Sequence, residues 1–374
     1  MINKHYSHTI IFSILFPAIL SSSVLASSPD PVSTPPETID RITEKRECQR
    51  CSIRNIDVSD IDWAEASLTE MRIFYSRILN ANLANSDLSN ISIKESDLSG
   101  SNLESANLEG ARFSVVYLDN SNLEDTNLQA SVMNGGFFRN SNLSGTNLSH
   151  SNLIEANFSD SDLTSTNFTN ADLGIVYLLG ADLRRANFSP ASFENVIYDS
   201  NTRFLDDFTP PSSGMYLLSS HSSAIGVRGV GLDLTGQNLT GLDISNSNIR
   251  ADFSRANLNN AVFREASVND SIWIESSLVG ADFCGAQLYL GDFTKADFQN
   301  SILLLADLGS SNLREANFQG ADLRDADLSN STIDGTNFQD AIYNADTQFP
   351  EGFDPAAAGA VLSDEASADC PPLE

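Results

Sequence analysis

Basic residues are scarce in this chain. Its 374 residues include 21 lysines and arginines against 50 aspartates and glutamates, for a formal net charge of -29 at neutral pH. So acidic a surface argues against direct binding of nucleic acid, which needs Lys and Arg to displace counterions from phosphates. Histidine and cysteine are rare as well, four of each. His5, His8, His150 and His221 do not cluster in the sequence, and nothing marks a metal, cofactor or catalytic site. Four cysteines are few for a disulfide framework, although export would permit oxidation, and their connectivity is not readable. Cys48 and Cys51 form a C-x-x-C pair. A zinc site would need two more ligands, so a structural or disulfide role for the pair is favoured over metal.

Long apolar runs are also missing. The longest candidate, Ile10–Leu20, is interrupted by Ser13 and Pro17. A membrane span needs about 20 apolar residues, so no stable span is expected. Lys4 before this run and Val24-Leu25-Ala26 after it make residues 1–26 read as a signal peptide cleaved after Ala26, with a retained anchor as the alternative.

What the chain does have is a beat of five. From Ile53 to Tyr198 every fifth residue is large and apolar, as in Ile53, Val58, Trp63, Leu68 and Ile73. Two positions earlier the residue is usually small, as in Ser101-Asn102-Leu103 and Ala106-Asn107-Leu108. A period of five fits neither the 3.6 of an α-helix nor the 2.0 of a strand. If each unit forms one side of a square, its large and small residues point inward together. Four units then make a coil of 20 residues, and successive coils pair at the usual strand spacing of about 4.8 Å. Ile56, Ile61, Met71 and Ile91, large where a small residue is expected, predict a less regular lumen early in the array.

With runs such as Ala106-Asn107-Leu108 and Ala181-Asp182-Leu183, the chain resembles the pentapeptide-repeat family over about residues 50–350. The resemblance implies an all-β fold, a right-handed quadrilateral β-helix; the handedness comes from the family and not from the spacing. Cys48-Gln49-Arg50-Cys51, directly before the first unit, also resembles the N-terminal C-x-x-C of many cyanobacterial members.

The phase breaks after Tyr198, and a second array begins near Leu234. Both arrays end in one spacing: Tyr198, Thr202, Phe204, Phe208, Pro210 and Gly214 match Tyr343, Thr347, Phe349, Phe353, Pro355 and Gly359. This duplicated motif is expected to cover the open end of each stack with aromatic side chains, as solenoids require. Ile249 to Phe253 is a step of four, which predicts a local kink beside Arg250. The expected organisation is therefore two tandem arrays with short helical caps: signal peptide 1–26, linker and cap 27–50, first array 51–210, linker 211–231, second array 232–362 and a disordered tail 363–374. A short helix is expected over Glu37–Glu47, and another where Asp354-Pro355 precede Ala356–Ala358.

Acidic residues before the large position, such as Asp87, Asp97 and Asp162, alternate with Asn102 and Asn107 and read as solvated ladders. A flat exposed face does not separate the pKa values of an acid and a base, so no enzyme is expected. One outward column departs from this polarity: Tyr117, Phe137 and Tyr177, with Val115 and Ile175 beside it at a corner. Exposed apolar patches mark partner surfaces, or else a cap, linker or second array lands there. Tyr289, Leu290, Leu304 and Leu305 form a weaker candidate. The sequence thus points to a non-enzymatic scaffold or protein-interaction module with no cofactor and an unidentified protein partner. It would be exported to the periplasm or, in a cyanobacterial host, the thylakoid lumen. The resemblance also implies an alternative, a DNA mimic that binds a type II topoisomerase, which would require the chain to remain in the cytoplasm.

Overall fold

Five-residue units close into four-sided coils because each ends in a turn that only a left-handed residue completes. In the computed structural model, which describes residues 36–205, 208–210, 214–363 and Cys370, the Ala106 N–H donates to the Leu103 carbonyl at 3.0 Å across such a turn. The third turn residue, Ser105, has φ of 56°. A positive φ there is the signature of a type II turn. Asn120, Asp125, Ala130 and Gly135 take the same conformation at successive corners.

Between corners each unit makes one short parallel bridge to the coil above. Asn102 pairs with Asn122 and Asn122 with Asn142, a register of 20 residues. In each bridge the Leu103 N–H donates to the Asn122 carbonyl at 2.7 Å and the Asn122 N–H to the Ser101 carbonyl at 2.9 Å. Where the turn bond is missing, strands run through the corner, as Ser92–Asp97 and Arg112–Tyr117 do in parallel pairing.

Leu103, Leu123 and Leu143 face the lumen, all buried, one above another. Several of the small inward residues are satisfied from the coil below: Thr126, Thr146 and Thr166 donate Oγ1 to the carbonyls of Leu103, Leu123 and Leu143 at 2.8, 2.7 and 2.9 Å, whereas the buried Ser131 Oγ has no partner. Pairing of this kind offsets the cost of burying a hydroxyl. The second lumen is built from rings. Phe263 stacks on Phe283 and Phe298 on Phe318, each at 4.6 Å.

Helix Pro36–Lys45 covers the first coil, with Ile42 buried in the core. Both arrays end in the duplicated motif. Thr202 Oγ1 donates to the Leu178 carbonyl at 2.7 Å and Thr347 Oγ1 to the Leu323 carbonyl at 2.9 Å. Tyr198 meets Phe204 edge-on at 5.4 Å, as Tyr343 meets Phe349 at 5.7 Å.

Four expectations change. The Asp354–Ala358 segment is not a helix but a run of turns, in which the Ala357 N–H caps onto Asp354 Oδ1 at 3.1 Å before Gly359 reverses the chain. The tail is not free throughout, because Cys370 is bonded to Cys284; residues 364–369 and 371–374 lie outside those described. The shortened unit at Arg250 is absorbed by a register shift, Val230 pairing with Arg250 and Leu232 with Ala251, leaving Gly231 as the bulge.

The largest change concerns 211–231. Residues 211–213 lie outside those described, but from Gly214 onward the segment is no linker. Strand Met215–Leu218 pairs with Val196–Asp199, and Ser223 already bridges Asp243 as part of the second array. The large-residue beat is silent there because the central positions hold Ala224 and Gly229. The space beside Gly229 is filled by Leu232 Cδ1 of the same array, 3.0 Å from where a Cβ would be, and by Ile197 Cδ1 of the first array at 3.1 Å.

Candidate docking face and inter-array cleft

Outward side chains sit on the bridge and corner positions of the coil, so a column of them 20 residues apart forms one strip of a face. Most strips are ladders of amides. Asn122 Nδ2 donates to Asn102 Oδ1 at 3.1 Å and Asn142 Nδ2 to Asn122 Oδ1 at 3.2 Å. The strip through Tyr117, Phe137, Asn157, Tyr177 and Ile197 is different. Its rungs bridge in the same register, but it carries rings.

The structure divides this strip. Tyr117 and Phe137 stack at 4.7 Å and 9° and remain half-buried, with Val115 half-buried at the adjoining corner. Tyr177 is instead 3% exposed and belongs, with Leu179 and Ile197, to the core of the second array; Ile175 packs against that core. Tyr177 Oη accepts the Val230 N–H at 2.8 Å, and burial pushes the phenol pKa up. Tyr177 and Ile175 are therefore part of the contact between arrays and not of a free surface. The stacks are not coaxial, since side chains on the flank of the first fill the first coil of the second. The sequence reveals the strip but not which half of it is covered, because the covering coil has no large residues of its own at the central positions.

The junction leaves a cleft of about 330 Å³ beside the covered half, with Asp119, Arg139, Asn157, Asp160 and Asp199 on the first array and Asp233 and Thr235 on the second. Arg139 donates to Asp119 Oδ2 through Nε at 3.1 Å and Nη2 at 2.5 Å, and lies over the Phe137 ring at 5.6 Å. Asp199 Oδ1 accepts the Gly180 and Thr202 N–H groups at 2.8 and 3.0 Å, so that carboxylate shapes the terminating turn. Partial burial, and then the charges of Asp199 and Asp233, raise the Asp160 pKa from its ordinary value. Sequence reading missed this cleft, since its two walls lie far apart in the chain.

The raised Asp160 pKa implies a pH dependence. A carboxyl whose folded pKa exceeds its unfolded value costs stability above the folded pKa, and the cost disappears below the unfolded one. Asp160→Asn should therefore raise the melting temperature near pH 7, and the gain should vanish at about pH 3, below the ordinary carboxylate range. Thermal melts of both proteins across that interval check this, and equal gains at both ends would contradict it.

Cys48 and Cys51 are bonded to each other, with Cα atoms 5.5 Å apart. Cys284 and Cys370 form the other bond, with Cα atoms 5.7 Å apart. No group of three or more His, Cys, Asp or Glu among the described residues is placed to hold a metal ion. Of the weaker candidate patch, Tyr289, Leu290 and Leu305 are exposed, while Leu304, one coil above the bonded Cys284, is buried. No helix among the described residues is long and apolar enough to cross a membrane.

Among solved structures, the chain is similar to HetL, a pentapeptide repeat protein involved in heterocyst differentiation regulation from the cyanobacterium Nostoc sp. strain PCC 7120. That match is 22% identical and covers 85% of this chain and 99% of HetL, with a TM-score of 0.20. A pentapeptide repeat protein from the Arabidopsis thaliana thylakoid lumen is 30% identical over 31% of this chain and 67% of its own, with a TM-score of 0.14. QnrB1, a plasmid-mediated fluoroquinolone resistance protein, is 16% identical over 46% of this chain and 88% of its own, with a TM-score of 0.22. A search of curated proteins finds no match. The family profile described as pentapeptide repeats matches in overlapping copies within residues 76–197 and 274–340, half of the chain. Coils of four five-residue sides, a 20-residue register and this match together establish that the chain belongs to the pentapeptide-repeat family and folds as its right-handed quadrilateral β-helix.

Proposed function

We propose that the chain is a non-enzymatic, exported scaffold whose rigid acidic faces dock a protein partner. The observation that carries this reading is the half-buried stack of Tyr117 on Phe137, an apolar strip on a solenoid that carries amide ladders on other strips. Aromatic side chains with a polar surround are the usual anchors of such contacts. Export rests on the character of residues 1–26, which lie outside those described.

The test compares affinity capture from the exported fraction by the wild type and by Tyr117→Ser/Phe137→Ser, leaving Tyr177 intact because it holds the arrays together. A partner retained by the wild type should be lost by the double variant with no change in melting temperature. Equal recovery of every captured protein would dispose of the strip. Fractionation and N-terminal sequencing check export: the mature chain is expected to begin after Ala26. The charge of -29 favours a second reading, mimicry of DNA toward a type II topoisomerase. Recovery of the chain in the cytoplasm with residues 1–26 retained would make that reading the stronger one.

A further inference from the structure

The first corner of the first array is closed by a covalent bond as well as by the fold. Counted back from Ile53, Cys48 falls at a large inward position and Cys51 at a small one. The corner between them is built like those further along: the Cys51 N–H donates to the Cys48 carbonyl at 3.4 Å, and Arg50 takes a φ of 59°. Both cysteines are also pinned to the second coil. The Cys48 N–H donates to the Ser67 carbonyl at 2.9 Å, and the Cys51 carbonyl accepts the Arg72 N–H at 2.8 Å. Backbone bonds that do not involve the sulfurs therefore bring them together, and the pair keeps its place whether joined or not. Because the cysteines are only three residues apart, closing the loop removes little chain entropy and the bond adds little to stability.

One guanidinium attends both sulfurs. Arg41, on the helix Pro36–Lys45, places Nη2 2.8 Å from Cys48 Sγ and 2.8 Å from Cys51 Sγ. Arg46 and Arg50 nearby are paired with Asp62 and Glu70, but among the described residues no carboxylate pairs with Arg41. A disulfide sulfur is a weak, uncharged acceptor, whereas a guanidinium strongly favours a thiolate. The contact therefore stabilises the reduced pair more than the oxidised one. Burial separates the two sulfurs: Cys48 is 3% exposed and Cys51 half-buried. We propose that Cys48–Cys51 is a redox-active site that exchanges with a protein dithiol, opening and closing while the coil stays folded. The donor's first thiolate attacks Cys51 Sγ and forms a mixed disulfide, expelling Cys48 as a thiolate held by Arg41. The donor's second thiolate then attacks its own sulfur in that mixed bond and frees Cys51. The donor becomes a disulfide and the pair becomes two thiols, with two electrons and two protons transferred. The donor must be a dithiol, because Cys48, still pinned beside Cys51, would re-form the bond and expel a monothiol.

This site involves neither Tyr117 nor Phe137, so its test stands apart from the docking reading. The full chain is equilibrated in mixtures of reduced and oxidised dithiothreitol, and alkylation with peptide mass spectrometry reads each cysteine separately. Cys48–Cys51 should open at a less negative potential than Cys284–Cys370, whose Cys284 would have to leave as a fully buried thiolate. Circular dichroism should not change as the first pair opens. Arg41→Ala should make the pair roughly tenfold harder to reduce, a fall of about 30 mV for two electrons, and Arg41→Lys should recover most of the loss. If Arg41→Ala lowers the melting temperature, Arg41→Gln, which keeps much of the stem and loses the charge, decides. At equal thiol concentration, reduced thioredoxin, used as the dithiol probe, should open the pair and glutathione should not. The proposal is overturned by a potential that the Arg41 variants leave unchanged, by Cys284–Cys370 opening first, by loss of β structure when Cys48–Cys51 opens, or by equal reduction with the two donors.

Discussion

Leu143→Asp is expected to abolish cooperative folding of the first array. Leu143 is fully buried, between Leu123 below and Leu163 above, and its carbonyl already accepts the Thr166 hydroxyl. A carboxylate there would be enclosed by leucine side chains with no basic residue to pair it. Burial of an unpaired charge together with the loss of leucine packing should cost more than about 5 kcal/mol. In a solenoid each coil is held only by its neighbours, so a lesion in the middle removes the template for both. Circular dichroism should show gross loss of β structure. Asn142→Ala, one residue away, faces outward and loses its bonds to Asn122 and Glu124 and the acceptor for the Ser144 N–H, all near solvent, a cost of about 1–2 kcal/mol. A variant Leu143→Asp that melts like the wild type would contradict the lumen assignment.

The second large effect lies at Gly214. This residue has φ of 99°, and a Cβ added to it would sit 2.4 Å from the Phe193 carbonyl oxygen and 3.0 Å from its carbon. Both are backbone atoms held in a strand pair, since Ser192–Glu194 pairs with Asp172–Gly174, and they cannot turn aside as a side chain could. Gly214→Ala should therefore cost at least about 3 kcal/mol, combining left-handed strain with a steric overlap. Gly226→Ala is the control. Its φ is 76°, but nothing lies within 4 Å of the added carbon, so strain alone remains, about 1 kcal/mol. Because Gly214 leads into strand Met215–Leu218, where Met215 enters the first core and Leu218 the second, the lesion should also uncouple the arrays. Trp63 and Trp273, the only tryptophans, lie one in each core and report this directly. Removing one at a time, the two unfolding transitions should coincide in the wild type and separate in Gly214→Ala. Transitions that stay together with unchanged midpoints would count against the junction as described.

Legibility in this chain follows repetition. Within the arrays, one side chain in five meets the same environment many times over, so even imperfect units such as Val58 or Ile78 are placed by their neighbours 20 residues away. The paired terminators were readable for the same reason, because Asp199 and Asn344 occupy one role at one spacing. Units with small central residues have no such support. Ala224 and Gly229 begin a coil whose filling comes in part from Ile197, a residue that the spacing places on the outside of another stack. For the same reason the strip of Tyr117, Phe137 and Tyr177 was visible as an anomaly, while its division into a covered and an uncovered half was not.

The beat of five by itself determined the coil, its lumen, its corners and the number of arrays, because each of those depends on contacts between residues at a fixed separation of five or 20. Only the tertiary structure decided that the second stack mounts the flank of the first, that Tyr177 is buried beneath it, and that Asn157, Asp160 and Asp233 share one cleft. Those contacts join residues with no common period, and they are selected by shape and by leftover hydrogen-bonding capacity, neither of which leaves a repeating mark in the chain.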